Sequence, residues 1–471
     1  MKSRKDQVQA YFFVVGRLAA AVTHGKPDVL QPPARRVTTG TVFGFLLTAL
    51  LAAIFGIYGL FVPGNDTSWR HAGAIVMDKS SGARYVYLDG ALRPVINYAS
   101  ARLVAGPDAG GKVVAVSSKS LAGTPVGQPV GITGAPDALP SATALYRGDW
   151  SVCVQPPGSD PAVAGPAVTL LLAEQRGRVL TESQAILAYT SDGSTFLIWQ
   201  GKRLRVPDTS QLRSLGYGDL RPVAVTPAWL NPIQQGPDLV VPAVAGTGSR
   251  GPVIDGRPML AGQLVEVRNQ AIKTDQLFLV RADGITPVSR TVAALLLAAP
   301  STRAAYPGAL VEPIPVSAGA LSGVPTSSGP ALGTGLPPDP PELLAPDQNS
   351  LSCVAYPVDA AAPPQVRLVD ATAVRSRSMP MARHQAGTTA DRVVIPAGTG
   401  VLARQQAVPG APPGAAFLIT ELGMRYPVAG PDVMGALGYA ETSAVPVPAG
   451  LLGLLPAGPL LSADAARSSP A

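Results

Sequence analysis

The segment TVFGFLLTALLAAIFGIYGLFV, from Thr41 to Val62, contains 22 residues and no charged side chain. At about 1.5 Å of rise per residue it extends roughly 33 Å as a helix, enough to cross the ~30 Å hydrocarbon layer of a membrane. A cleaved signal peptide would have a shorter apolar core nearer the N-terminus. A core helix of a soluble domain rarely lacks charge over such a length. The segment therefore predicts a retained transmembrane helix over residues 41–62.

Basic residues near the apolar segment predict its orientation, because such residues remain on the cytoplasmic side. The first 40 residues have a net charge of +5, out of +7 for the whole chain. The charged residues are Lys2, Arg4, Lys5, Arg17, Lys26, Arg35 and Arg36, against Asp6 and Asp28. We therefore expect a cytoplasmic N-terminus, with the rest of the chain after the membrane segment on the exported side. Since membrane topology accounts for the excess charge, nothing indicates a nucleic-acid-binding surface.

The segment KDQVQAYFFVVGRLAAAV, which precedes the membrane segment, places apolar residues at three- and four-residue steps. This spacing is typical of one face of a helix, here formed by Val8, Phe12, Val15 and Leu18. Gly25 and the proline that follows it predict the end of the helix. Two interpretations remain open: the helix docks against a partner protein, or it lies on the membrane surface.

The exported part contains four segments with a shared pattern. Each has an apolar strand, a turn glycine, a second strand and then a short predicted helix, and the high Gly and Pro content (50 and 49 residues) favours such short elements. The glycines occupy the position where a tight hairpin needs a positive φ. They are Gly90, Gly201, Gly284 and Gly423, in repeats near residues 85–104, 196–217, 278–297 and 417–439.

The repeats are related in pairs, which predicts an internal duplication. The second and fourth align without a gap from Phe196 at an offset of 222, with twelve identities in 44 positions. The first and third align at an offset of 200, where VSSKSLAGTP matches VSAGALSGVP. The predicted divisions are a cytoplasmic segment 1–40, a linker 63–73, a first half 74–246, a linker 247–261, a second half 262–462 and a disordered tail 463–471. We also expect a flexible insertion at Ser327–Gln348.

Cys153 and Cys353 are the only two cysteines, and they fall on equivalent positions at the offset of 200. A disulfide can persist on the exported side of the membrane. Such a bridge would join the two halves and, by closing a loop of ~200 residues, could contribute up to about 5 kcal/mol. Two reduced, buried thiols are the alternative, and the absence of a CxxC spacing disfavours a redox function.

Nucleotide and metal motifs are incomplete. GPDAGGKV, Gly106–Val113, has the spacing of a phosphate loop through Lys112, but a valine replaces the Ser or Thr that would hold Mg²⁺. A helix is predicted before it and a strand after it, the reverse of the order such loops require. GTGSRG at 246–251 has a dinucleotide-binding spacing, but Pro252 prevents the required helix. The histidines His24, His71 and His384 are scattered. We therefore predict no catalytic residue, cofactor or metal.

Several long segments together resemble one known family. They are DQVQAYFFVVGRL, PPARR, DGALRPVINYASARLV, SLAGTPVGQPVGITGAPDALP, WSVC and the four spaced repeats. The chain resembles EccB, the single-pass membrane component of the type VII (ESX) secretion machinery of actinobacteria. Some members of that family are labelled ATPases. The alternative is a membrane-anchored exported enzyme or a cell-wall-binding module.

The resemblance implies a membrane-anchored α+β fold, with an elongated, internally duplicated periplasmic region. Four strand-turn-strand-helix repeats would surround a β-rich central domain tied by one disulfide. The implied function is a structural core component of the export channel for small helical proteins. The implied partners are the EccC motor ATPase, EccD and EccE, in a hexameric membrane complex that also self-associates through its periplasmic region.

Overall fold

A computed structural model shows a mixed α+β protein with one long apolar helix near the N-terminus and several separate β-sheets. The structure describes residues 4–25, 34–61, 67–158, 165–173, 176–269, 274–359, 362–381, 383–407 and 411–469. Lys2 and Lys26, counted above among the basic residues, lie outside this range, as do residues 62–66 after the membrane segment.

Two long helices begin the chain, Arg4–His24 and Ala34–Phe61. The first confirms the helix predicted before the membrane segment. The second contains Val37–Tyr58, a 22-residue segment of mean hydropathy 2.2 that is long and apolar enough to cross a membrane. This helix begins at Ala34 rather than Thr41, because no proline lies between them and the prediction marked only the uncharged part.

Residues 67–71, which follow the apolar helix, belong to a compact unit made of residues 1–71, 76–83 and 114–124. Trp69 is fully buried, and its Nε1 donates a hydrogen bond of 2.9 Å to Ser120 Oγ. The neighbouring Arg70 donates to Thr124 Oγ1 at 3.1 Å. These contacts attach the segment that follows the membrane helix to the 114–124 segment.

The second unit contains residues 72–75, 84–113 and 125–471. Three of its sheets follow one plan: a meander of three antiparallel strands, a helix, and a return strand that pairs in parallel with the first strand. Module 2 comprises Gln184–Tyr189, Thr195–Trp199, Lys202–Val206, helix Ser210–Ser214 and return strand Val223–Ala224. Module 3 comprises Leu264–Asn269, Thr274–Arg281, Gly284–Val288, helix Arg290–Ala298 and return strand Ile314–Val316. Module 4 comprises Val401–Gln406, Ala416–Ile419, Arg425–Val428, helix Pro431–Leu437 and return strand Val445–Pro448.

Module 1 contains the hairpin Arg84–Leu88 and Ala91–Pro94, followed by helix Tyr98–Ala105. Strands Ile75–Asp78 and Val113–Val116 precede and follow these elements in sequence. In modules 2 to 4 the predicted strand-turn-strand-helix pattern is only the middle of the unit, since the first strand and the short return strand were not predicted. Outside the modules and the large sheet described next, and besides the two long helices, the described α-helices are Ser118–Leu121, Pro227–Leu230, Ala371–Arg375, Ala449–Gly453 and Ala463–Arg467. The described strands outside them are Gln234–Gln235, Arg250–Ile254, Arg257–Leu260 and Glu342–Leu343.

A seven-stranded sheet brings together two distant stretches of the chain, residues 150–179 and 350–394. Its strands, in spatial order, are Met379–Pro380, Arg392–Val394, Ala167–Leu171, Trp150–Gln155, Ser350–Tyr356, Gln365–Asp370 and Gly177–Val179. Every residue of Trp150–Gln155 is buried, so both faces of the sheet are covered at its middle. The largest hydrophobic cluster, which includes Val152 and Val354, lies against it.

The module helices pack in two pairs. Helix Tyr98–Ala105 of module 1 contacts helix Pro431–Leu437 of module 4, and helix Ser210–Ser214 of module 2 contacts helix Arg290–Ala298 of module 3. Module 1 therefore packs on module 4, and module 2 on module 3.

Modules 2 and 4 share backbone hydrogen bonds at an offset of 222. Gly236 N donates to Arg203 O at 2.9 Å, and Gly458 N donates to Arg425 O at 2.8 Å. Likewise, Leu239 N donates to Arg205 O at 2.7 Å, and Leu461 N donates to Pro427 O at 2.8 Å. The two modules therefore bind their following segments in the same register.

The gapless alignment from Phe196 is wrong by one residue before the turn. Phe196 pairs with Arg205, whereas Phe417 pairs with Pro427, so the offset is 221 on the first hairpin strand and 222 on the second. Module 4 accommodates the extra residue in a longer turn, because its strand ends at Ile419 and the next begins at Arg425.

Segment 247–261, predicted as a linker, and segment Ser327–Gln348, predicted as a flexible insertion, both contain β-structure. The 247–261 linker contains the hairpin Arg250–Ile254 and Arg257–Leu260, whose buried Ile254 and Met259 pack on module 3. The Ser327–Gln348 insertion contains strand Glu342–Leu343, which pairs in parallel with the first strand of module 2. Composition misled the prediction for Ser327–Gln348, because tertiary contacts can order a segment that is rich in Gly and Pro.

The 463–471 tail is also ordered within its described part. Helix Ala463–Arg467 is capped by the side chain of Ser462 and packs on helix Tyr98–Ala105, with Ala466 fully buried. A five-residue helix has too weak a local signal to be recognised without its packing partner.

Candidate functional site

The two cysteines meet at the centre of the seven-stranded sheet, directly opposite each other on antiparallel strands. Cys153 and Cys353 form a disulfide, with Cα atoms 4.0 Å apart and a sequence separation of 200. Each residue is only 1% exposed, and Leu171, Leu351 and Val369 surround them. The bond therefore joins distant parts of the chain where solvent has almost no access.

Aromatic and charged groups at one end of this strand pair are arranged for packing. Trp150 lies opposite Tyr356, and both are buried. Burial raises the pKa of the Tyr356 phenol, so it stays protonated at neutral pH. Burial also lowers the pKa of the nearby Arg203 guanidinium. Neither group is suited to exchange a proton near pH 7, so this centre is suited to holding the sheet together rather than to acid–base chemistry.

The four predicted turn glycines all have positive φ, but they do not share one position. Gly90, Gly201 and Gly423 lie in the hairpin turns with φ of 78°, 69° and 73°. Gly284 is instead the first residue of the second hairpin strand, Gly284–Val288, with φ of 151°. A Cβ there would lie 2.1 Å from Pro325 O, so only glycine permits this close approach of two chains.

The N-terminal helix leaves its large apolar side chains exposed. Val8, Phe12, Val15 and Leu18 are all exposed, Phe12 to 69%. Tyr11, Phe13 and Val14, which the predicted face omits, are also exposed. The exposed apolar surface of this helix therefore extends beyond the stripe of Val8, Phe12, Val15 and Leu18.

The loop with partial phosphate-loop spacing has the wrong context for nucleotide binding. Helix Tyr98–Ala105 precedes it and strand Val113–Val116 follows it, as predicted. The side chain of Arg102 occupies the space beside Gly111 that a Cβ would fill. Lys112 is exposed. The element order is therefore the reverse of the strand–loop–helix order that a phosphate loop requires.

Histidines and carboxylates do not gather into a metal site within the described part of the chain. His384 Nε2 lies 3.2 Å from Asp391 Oδ1, and Asp391 Oδ2 accepts a hydrogen bond from Val168 N at 2.7 Å. This carboxylate ties the edge of the central sheet to the loop that carries the histidine, which is a structural contact.

Sequence comparison identifies the family. The family model described as type VII secretion system ESX-1, transport TM domain B, or EccB, matches residues 2–470. The chain belongs to the EccB family. A relative from Mycolicibacterium smegmatis, named ESX-3 secretion system ATPase EccB3, is 30% identical over 97% of this chain and 89% of its own length.

Solved structures of EccB proteins have the same fold. A chain from an intact ESX-5 inner membrane complex covers all of this chain and 95% of its own, with a TM-score of 0.68 and 24% identity. The EccB3 dimer from the ESX-3 core complex covers 84% of this chain and 100% of its own, with a TM-score of 0.69 and 27% identity. As an EccB-family protein, this chain is a structural component of a type VII secretion system.

Proposed function

We propose that this EccB-family chain scaffolds the periplasmic side of a type VII secretion complex in the inner membrane. The observation that carries the proposal is its similarity, over nearly the whole length, to EccB chains in ESX inner membrane and core complexes. In this function the chain assembles with EccC, EccD and EccE as a hexamer, associates with itself through the periplasmic modules, and supports export of small helical proteins.

The proposed orientation places residues 1–40 in the cytoplasm and everything after the apolar helix in the periplasm. The basic N-terminal residues support it. A disulfide at the centre of the large sheet also supports it, because the periplasm allows such bonds to persist. The recurrent hydrogen bonds of modules 2 and 4 support a duplicated periplasmic region.

The N-terminal helix docks on the cytoplasmic parts of neighbouring components through Val8, Phe12, Val15 and Leu18. Their exposure supports this, since an anchor alone requires no wide apolar surface outside the membrane. Burial of roughly 400 Å² of apolar surface would contribute on the order of 10 kcal/mol before the cost of ordering.

Charged substitutions on the helix test the docking. Phe12→Asp with Val15→Asp should leave membrane insertion and the disulfide intact, while the variant separates from the large complex in detergent-solubilised membranes. Ala10→Asp with Arg17→Ala is the matched control, because both positions are exposed, the net charge changes by the same two units, and both lie on the opposite side of the helix from Phe12 and Val15. Normal assembly and export by the first variant would mean that the helix only lies on the membrane.

A further inference from the structure

A cleft of about 230 Å³ opens between the segment Pro136–Pro140 and the turn of module 4. Its remaining lining residues are Gly398, Thr399, Thr420, Glu421, Leu422 and Tyr426. Sites for drug-sized ligands and cofactors enclose roughly 300–1,000 Å³. The cleft is therefore better suited to one large side chain than to a cofactor.

Module 2 fills the equivalent position with a tryptophan. The pair Leu197–Leu204 in module 2 corresponds to the pair Leu418–Tyr426 in module 4. Two residues after Leu197 comes Trp199, and two residues after Leu418 comes Thr420. These two residues are therefore equivalent, and each lies on the same side of its sheet as the leucine before it. Trp199 is 7% exposed and its Nε1 donates to Glu182 O at 2.7 Å. Its indole packs in a cluster of Ala185, Leu197, Leu204, Leu336 and Leu343.

The chain segments that cover the two positions are held alike. Tyr217 OH donates to Pro341 O at 2.7 Å in module 2, and Tyr439 OH donates to Pro140 O at 2.8 Å in module 4. These tyrosines are related by the offset of 222 seen for the backbone bonds. The main difference between the two positions is therefore an indole in one and a threonine in the other.

Thr420 is suited to meet a polar group in the cleft. It is only 4% exposed, and among the described residues its Oγ1 has no hydrogen-bond partner. A buried hydroxyl without a partner is costly, so a ligand that donates to it gains affinity. At the rim, the Glu421 carboxylate accepts a hydrogen bond from Gly398 N, and Leu422 is 63% exposed.

We propose that the cleft receives the indole of a tryptophan from a partner protein, which lies against Thr420 on the side of module 4 that corresponds to the Trp199 side of module 2. The apolar walls suit the ring, the Thr420 hydroxyl can accept its N–H, and the Glu421 carboxylate favours a basic residue beside it. A second copy of this chain cannot supply the ring, because all four of its tryptophans are buried; they are Trp69, Trp150, Trp199 and Trp229. The occupant belongs to a different protein.

Binding of N-acetyl-tryptophanamide to the full chain in detergent micelles, followed by ligand-observed NMR, tests the proposal. Wild type should bind saturably, and Thr420→Trp should bind at least tenfold more weakly because its own indole fills the cleft. Leu310→Trp is the matched control, since Leu310 is highly exposed in module 3 and its replacement leaves the cleft open. The probe methylated at the indole nitrogen should bind about fivefold more weakly, since it lacks the donor.

Thr420→Trp should also raise the midpoint temperature of unfolding. If that variant fails to fold, Leu422→Ala replaces it, because an exposed rim residue can be shortened without disturbing the core, and its binding should weaken at least threefold. No saturable binding by wild type, equal binding by the cleft variant and wild type, or equal binding of N-acetyl-leucinamide would each overturn the proposal. The measurement uses purified chain and does not depend on the proposed scaffold function.

Discussion

Removal of the central disulfide should lower the free energy of unfolding without changing the fold. The paired replacement Cys153→Ala and Cys353→Val approximately conserves the volume of two buried cysteines. The strand pairing on either side remains, from Trp150–Tyr356 to Val154–Ser352. The expected effect is therefore mainly on the unfolded chain, which is no longer closed into a loop.

The magnitude follows from the separation of the cysteines. A separation of 200 residues corresponds to about 5 kcal/mol in the chain-entropy model, an upper figure for the loss of stability. Domains are typically stable by roughly 5–15 kcal/mol, so a loss of the full amount would be a third or more of the total. The unfolded variant is also more expanded, so its denaturant m-value should rise.

Urea unfolding of the full chain in micelles, followed by tryptophan fluorescence, measures both quantities. Trp150 and Trp229 report on this region, because Trp229 Nε1 donates to Val152 O at 3.2 Å. Wild type unfolded in the presence of dithiothreitol should reach the same midpoint as the double variant. The native protein should resist the reductant, because the sulfurs are buried. An unchanged midpoint and m-value in the double variant would refute the reasoning.

Two further predictions concern charged residues. Hydrogen bonds from Ser327 and Ser328 lower the pKa of Asp283 to about 2, so the ionised Asp283 stabilises the fold above about pH 4 and this stabilisation is lost as the pH falls toward 2. The difference in thermal midpoint between wild type and Asp283→Asn should therefore shrink between about pH 4 and about pH 2. A difference that stays constant over this range would contradict the prediction. Lys112→Ala should leave export and any ATP hydrolysis by the purified chain unchanged, because the order of helix, loop and strand around Lys112 does not suit phosphate binding. If this variant abolished hydrolysis, the result would support the ATPase label that its relatives carry.

Local chemistry made the long helices and the hairpins predictable. The turns of modules 1 and 2 place Asp89–Gly90 and Gln200–Gly201 at positive φ, which is the arrangement that a two-residue hairpin turn requires. The apolar helix needed only length and the absence of charge. The joining of the two halves by the cysteines was predictable because both cysteines fall on equivalent positions of the predicted duplication. The predicted location on the exported side of the membrane allowed them to form a disulfide.

Pairing between strands that are distant in the chain could not be predicted from the sequence. The return strands Val223–Ala224, Ile314–Val316 and Val445–Pro448 are short, and two contain proline, so their pairing depends on tertiary contacts. The Ser327–Gln348 segment has the composition of a flexible insertion, but the backbone of Glu342–Leu343 pairs with module 2. The cleft could not be predicted from the sequence, because Thr420 belongs to no motif and its equivalence to Trp199 is established only by the strand pairing in the structure.

Segments from the early part of the chain pair with segments from the late part, and this pairing joins the modules together with the central disulfide. Gly177–Val179 pairs with Gln365–Asp370, which follows it by almost two hundred residues, and Arg392–Val394 pairs with Ala167–Leu171. Such pairing recurs outside the central sheet, where Leu344 N donates to Ala185 O and Tyr146 N donates to Gly400 O. Separation of the early and late parts of the region would therefore break backbone pairing at several sites together with the covalent bond. Because these shared contacts constrain the paired modules alike, a difference confined to an exposed turn, such as the extra Leu422 beside Thr420, can create a new recognition surface without disturbing the scaffold.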